Sequence, residues 1–280
     1  METKADVARN PEAFMQIGDF VASTFFLSAL TLFVIALFIL LQFRSAPERW
    51  RLPLLLASFV PLVAAIGNFA RGSFWIKTLT NPVEFKFFDW FITVPVMAII
   101  FYYFLKPLGA KRWMVVRLGL AALWMLVFGY IGEAAYPEDS VLWGILGSIG
   151  FAAIIGMLMG EGYPRIFKEG VDPELRRGYL FLSILLPLSW SIYPIGYMTT
   201  PGNVLEGALS VDTVAIMYNL ADMLSKGGLA LGTIYIASKT KAPKQVIYTA
   251  NSNGNGKGDH EEAFEIITEP TRILKSSSSN

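Results

Sequence analysis

Cysteine is absent from this 280-residue chain, and histidine occurs once, as His260. The first absence excludes disulfides and thiolate metal sites. His260 lies in a polar stretch near the end, so imidazole metal centres and histidine triads are excluded from the apolar body of the chain. Charge is scarce too: Asp, Glu, Lys and Arg make up 16% of the residues, against roughly 25% in an ordinary soluble domain. The formal net charge of +1 points to no class of partner, and no nucleic-acid partner is expected. The first dozen residues are polar and mixed in charge, so no cleavable leader is evident.

What the chain has in abundance is apolar sequence: 54% of residues are hydrophobic, with a mean hydropathy of +0.49. Charge-poor windows of about 18–25 residues recur along most of its length, the pattern of a polytopic membrane protein. The pattern predicts an all-α bundle of seven membrane helices, about Phe14–Phe43, Leu52–Arg71, Glu84–Leu105, Trp113–Tyr136, Val141–Gly160, Arg177–Thr199 and Val211–Ser238. Punctuating turns such as "RSAPERWR", "LKPLGAKRW", "AAYPEDS" and "TTPGNV" separate them. Residues 1–13 would precede a bundle spanning 14–240. Residues 241–280, with "NSNGNGKGD" and "SSSS", read as a polar, disordered tail. "GNGKGD" lacks the strand before and helix after that a phosphate loop needs.

Basic residues set the orientation. Arg44, Arg49 and Arg51 fall in the first loop, Lys106, Lys111 and Arg112 in the third, and Arg165, Lys168, Arg176 and Arg177 in the fifth. Lys239, Lys241 and Lys244 follow the last helix, whereas the fourth and sixth loops carry neither lysine nor arginine. The C-terminus is therefore expected in the cytoplasm and the N-terminus outside.

Two spans carry charge at depth. In "EFKFFDWFITVPVMAIIFYYF" the first turns hold Glu84, Lys86 and Asp89; in "MYNLADMLSKGGLALG" Lys226 sits mid-span with Asp222 one turn before it, on the same face. Ionised side chains at such depth are rare and costly, hence candidates for function. A buried ion pair that only fixes packing is the plainer alternative. A deep lysine can instead condense with an aldehyde to a Schiff base, which needs a carboxylate counterion to stay protonated in low dielectric. Asp89 offers a second carboxylate, and Thr93, one turn on, is expected to hydrogen-bond it. Trp90, and Trp190, Tyr193 and Pro194 in "LSWSIYPIGYM", could clamp a flat apolar ligand, with Pro194 loosening its helix.

"DWFITVP", "MLVFGYIGEA", "GEG", "WSIYP" and "YNLADMLSK", in that order on the third to seventh helices, closely resemble the microbial rhodopsins, within them the proteorhodopsin-like bacterial branch. The resemblance spans roughly Phe14 to Lys239. It implies all-trans retinal bound as a Schiff base to Lys226, Asp89 as primary counterion and proton acceptor assisted by Thr93, and Asp222 as second counterion. It also implies a pocket lined by Trp90, Met97, Met125, Gly129, Trp190, Tyr193 and Pro194, with Ser225 close enough to tune colour. A bacterial cytoplasmic membrane and a homo-oligomeric ring are further expectations of the family.

Three positions depart from the family pattern. Lys86 stands where its pumps carry arginine, three residues before the acceptor. A compact ammonium cannot reproduce the arginine fork, so Lys86 is expected to tune Asp89 differently or to snorkel outward. Ile100 stands where proteorhodopsin-like pumps carry the carboxylic proton donor, roughly 16 Å along the third helix. The histidine that often partners the acceptor is missing from "LVAAIGNFARG". Glu84, Asp19 and Glu133, at helix ends, could release a proton outward or simply be solvated. "GILGSIGFAAIIG", with Gly147 and Gly150, is open to close helix packing or to a window for a carotenoid antenna. The expected function is a light-driven outward proton pump, not a conventional enzyme, with slow reprotonation. A slow photosensor and inward or pH-reversible proton flow are the rivals; chloride or sodium pumping fits Asp89 and Thr93 less well.

Overall fold

The length of each apolar run dictates its element, since a bilayer core of about 30 Å needs about 20 helical residues. The computed structural model describes residues 19–81, 83–240, 245–247 and 264–266. It divides into two compact units, Met1–Thr240 and Lys241–Asn280. The described part of the first unit is a bundle of seven antiparallel helices: α1 (Phe20–Gln42), α2 (Glu48–Thr78), α3 (Val83–Leu105), α4 (Trp113–Tyr130), α5 (Ser140–Gly160), α6 (Pro173–Trp190, resuming as Ile192–Met198) and α7 (residues 211–239). Among the described residues, the first six are long and apolar enough to cross a membrane. The second unit contains a short antiparallel pair, β1 (Gln245–Ile247) and β2 (Phe264–Ile266), with Val246 opposite Glu265. Residues 1–18 and most of the tail, and with them the expectations placed there, lie outside the described residues.

Local chemistry fixes the helix ends. Asp19 caps α1, its carboxylate accepting from the Ala22 N–H at 2.9 Å. Asp172 accepts from the Glu174 N–H at 2.8 Å, with Pro173 at the first helical position, so α6 begins a turn before the expected Arg177. Ser210 caps α7. The largest correction concerns α2: it continues past the expected end at Arg71 to Thr78, closed by the left-handed Leu79, whose N–H donates to the Trp75 carbonyl. Arg71 is therefore interior, almost two turns from the helix end.

Two helices carry a wide turn of i→i+5 bonding. One, Ile131–Ala135, continues α4 and carries Glu133; the other, Met223–Gly227, interrupts α7 and carries Lys226. Such single π turns re-aim side chains and often mark functional positions. α6 breaks at Ser191. Pro194 has no N–H to offer the Trp190 carbonyl four residues back, which accounts for the break.

Sequence neighbours pack side by side from α1 to α5, and α7 closes the bundle against α6, α1 and α2. At Gly150 the backbones of α4 and α5 approach closely. A methyl group there would meet the Ala121 carbonyl at 2.5 Å and the Met125 nitrogen at 2.8 Å. Large apolar side chains such as Leu30, Phe88, Leu120, Ile149 and Leu188 face outward. That distribution suits a lipid-solvated bundle.

Candidate functional site

The site forms where α2, α3, α6 and α7 present polar side chains to one another. Asp222 and Lys226 lie one turn apart on α7, and the wide turn between them carries the amine toward α3. Lys226 Nζ lies 2.6 Å from Asp89 Oδ2 and 2.9 Å from Asp222 Oδ1. Lys226, Asp89 and Asp222 are all at most 2% exposed. Tyr193 donates to Asp222 Oδ1 at 2.7 Å.

The cation expected at Lys86 comes from elsewhere. Arg71, on α2 and fully buried, donates from Nη2 to Asp222 Oδ2 at 2.8 Å and to Asn68 Oδ1 at 3.0 Å, and reaches within 3.9 Å of Asp89 Oδ2. Asn68 Nδ2 in turn donates to Asp222 Oδ2 at 3.1 Å. Two cations and two carboxylates thus close into a neutral group in a place where an unpaired charge would be costly. Lys86 is buried rather than snorkelling outward, and its amine pairs with Glu133. It also faces the rings of Tyr218, Trp90 and Phe87 at 4.9–5.6 Å.

Thr93 departs from expectation in one detail. Its hydroxyl donates to the Asp89 backbone carbonyl at 3.0 Å, not to the carboxylate. In a helix a threonine oxygen reaches the carbonyl four residues back, and that bond wins here. Asp89 lies against Gly67 instead, where a Cβ would sit 3.4 Å from the Asp89 Cβ. Of the helix-end acids, Glu133 is largely buried with Lys86, Asp19 is spent on its cap, and Glu84 is exposed in the first turn of α3.

Beside this group lies a cavity of about 370 Å³, within the usual range of small-molecule sites. Every expected pocket residue except Ser225 lines it: Trp90, Met97, Met125, Gly129, Trp190, Tyr193, Pro194 and Lys226. Ser225 is buried and donates to the Ala221 carbonyl. The Trp90 and Tyr193 rings meet edge to face at 4.7 Å, and Phe151 adds a tilted contact to Trp190 at 6.3 Å. The residues missed from sequence are Gly67, Asn68, Arg71 and Tyr218. The first three are betrayed only by "GNFARGSFW" remaining apolar and aromatic beyond Arg71.

The model of the bacteriorhodopsin-like proteins matches residues 19–240. The chain belongs to that family. Among its relatives is the green-light absorbing proteorhodopsin of Gamma-proteobacterium EBAC31A08, 26% identical over 236 residues that cover 81% of this chain and 91% of the relative. The blue light-absorbing proteorhodopsin from Med12 superposes with a TM-score of 0.67 at 28% identity, covering 80% of this chain and all of that one. Xanthorhodopsin, described as a light-driven ion pump with dual chromophore, shares the fold with a TM-score of 0.68 at 23% identity, over 78% and 92% of the two chains. This microbial rhodopsin is accordingly a multi-pass membrane protein and not a conventional enzyme.

Membership implies retinal on a lysine, and the residues fit that group. Among the described residues Lys226 supplies the one amine in the cavity lining, at a wall otherwise dominated by apolar and aromatic side chains. Two carboxylates lie within 3 Å of its nitrogen.

Proposed function

We propose that this rhodopsin is a light-driven proton transporter that moves protons outward across a bacterial cytoplasmic membrane, with Lys226 holding retinal. The observation that carries the reading is the 2.6 Å contact between Lys226 Nζ and Asp89 Oδ2, a direct path for a proton. Held on Lys226, retinal would supply light absorption and a light-driven isomerisation. Asp89 takes the proton. Asp222, held by Arg71, Asn68 and Tyr193, stays the fixed anion of the pair. Trp90, Met97, Met125, Gly129, Trp190, Tyr193 and Pro194 exclude water and hold the chromophore; Ser225 stiffens the turn carrying Lys226.

With the N-terminus outside, the Lys86–Glu133 pair lies on the outward side of Asp89, and Glu133 is the best placed of the three helix-end acids to pass the proton on. Moving one charge against 100 mV takes about 2.3 kcal/mol, a small demand on a cycle whose two half-channels open in turn. A homo-oligomeric ring in the bilayer belongs to the same reading. A carotenoid antenna would have to enter beside Gly144 and Gly147, where the cavity meets the exposed Ile145 and Ser148; Gly150 serves α4–α5 packing instead.

Ile100 favours one second reading. It is fully buried among apolar side chains and cannot return a proton to Lys226, so a slowly recovering photosensor is the alternative. Light-induced pH change in an unbuffered suspension of retinal-supplied cells separates the two. Acidification abolished by a protonophore is expected. No pH change in cells that show the visible band would favour the sensor, and alkalinisation, with an inward photocurrent in a separate voltage-clamp recording, would make the transport inward.

A further inference from the structure

Resting on that reading, we propose that Arg71 on α2, and not Lys86 on α3, is the positioning residue that keeps Asp222 the fixed anion and Asp89 the proton acceptor. The two aspartates start nearly alike, both buried and both touching Lys226. Arg71 makes them unequal. It hydrogen-bonds Asp222 at 2.8 Å and approaches Asp89 only to 3.9 Å. Asn68 sharpens the difference by accepting from Arg71 while donating to the same Asp222 oxygen. Lys226 touches both carboxylates, but Asp222 also receives donors from Arg71, Asn68 and Tyr193, whereas Asp89 receives none besides Lys226; its Oδ1 has no hydrogen-bond partner in the protein. A carboxylate with three donors of its own holds its charge far better than one with none.

Lys86 has no such reach. Its amine is engaged by Glu133, and the Tyr218, Trp90 and Phe87 rings crowd it. The groups bearing on Asp89 are Arg71 from α2, and Lys226 and Asp222 from α7. Tyr193 from α6 acts through Asp222, and Glu133 of α4 is matched with Lys86. Gly67 of α2 packs against Asp89, where an added methyl group would just touch its Cβ at 3.4 Å.

The test is the dark visible spectrum of the full-length, retinal-loaded protein through an acid-to-neutral pH series, because protonating an aspartate counterion moves the band to the red. Arg71→Gln is expected to show its red form at a proton concentration about tenfold or more lower than the unmodified protein does. Arg71→Lys should fall between the two, and Lys86→Gln should titrate within about threefold of the unmodified protein, because the Lys86 charge is matched by Glu133 and contacts neither aspartate. Removing one partner of a buried ion pair can leave a protein unable to fold. If Arg71→Gln does not fold, Arg71→Lys decides alone, and its coincidence with the unmodified protein overturns the proposal. Lys86→Gln shifting as far as Arg71→Gln overturns it as well. Absence of any visible band in the unmodified protein instead overturns the retinal reading, and the inference with it.

Discussion

The two halves of the bundle on either side of Lys226 are built on opposite rules. Toward the Asp19 end, buried Arg71, Asn68, Asp89 and Asp222 form one bonded set, and Lys86 and Glu133 form a separate ion pair. Toward the Lys239 end, the side chains of Ile100, Phe101, Phe104, Leu229 and Ile236 are buried in an apolar core. The hydroxyls there are engaged: Ser183 donates to the Leu180 carbonyl and meets the Tyr163 hydroxyl, Thr233 donates to Leu229, and Tyr179 donates across to Leu158 on α5. On the proposed reading, a proton leaving Lys226 would meet acceptors on one side and hydrocarbon on the other, and that asymmetry predicts a fast departure and a slow return.

Removing the group between the halves should have the largest effect. Lys226→Ala is expected to abolish the visible band of retinal-supplied protein; a retained band would mean that the chromophore is held elsewhere. Next comes the polar half. Asp89→Asn should shift the band to the red and eliminate the light-driven pH change, and undiminished pumping would remove Asp89 from its role. The apolar half can be converted rather than broken. Ile100→Glu should speed recovery of the dark state in flash photolysis by about tenfold or more, since a placed general acid typically contributes 10²–10⁴-fold. An unchanged rate would mean that reprotonation follows another route. The smallest change is expected from Glu133→Gln, which frees Lys86 while leaving Asp89 its own partners. It should delay the appearance of protons at a pH-sensitive dye with little shift of the band, and an unaltered release time would exclude Glu133 from the exit path.

Much of this architecture is legible in the sequence, because hydrocarbon thickness sets helix length and leaves deep charges conspicuous. Lys226, Asp89 and Asp222 stand out in that way. Arg71 did not, for a definable reason: as the last residue of an expected helix it looks like an interface residue, and only the continuation of α2 to Thr78 makes it interior. Lys86 misled in the opposite sense, since spacing along α3 brings it near Asp89 but says nothing of Glu133 across on α4. The wide turns at Glu133 and Lys226 carry no composition signal either. Thr93 shows a further limit. Helical periodicity gives its face, yet two acceptors on that face compete for its hydroxyl.

The most direct test of the account is the light-minus-dark infrared spectrum of the retinal-loaded protein, recorded for the unmodified chain and for Asp89→Asn. The 2.6 Å path predicts that a protonated-carboxyl stretch rises as the dark visible band is lost, and that it is missing in Asp89→Asn. A carboxyl signal that persists without Asp89, or no signal in the unmodified protein, would contradict the assignment of Asp89 as acceptor.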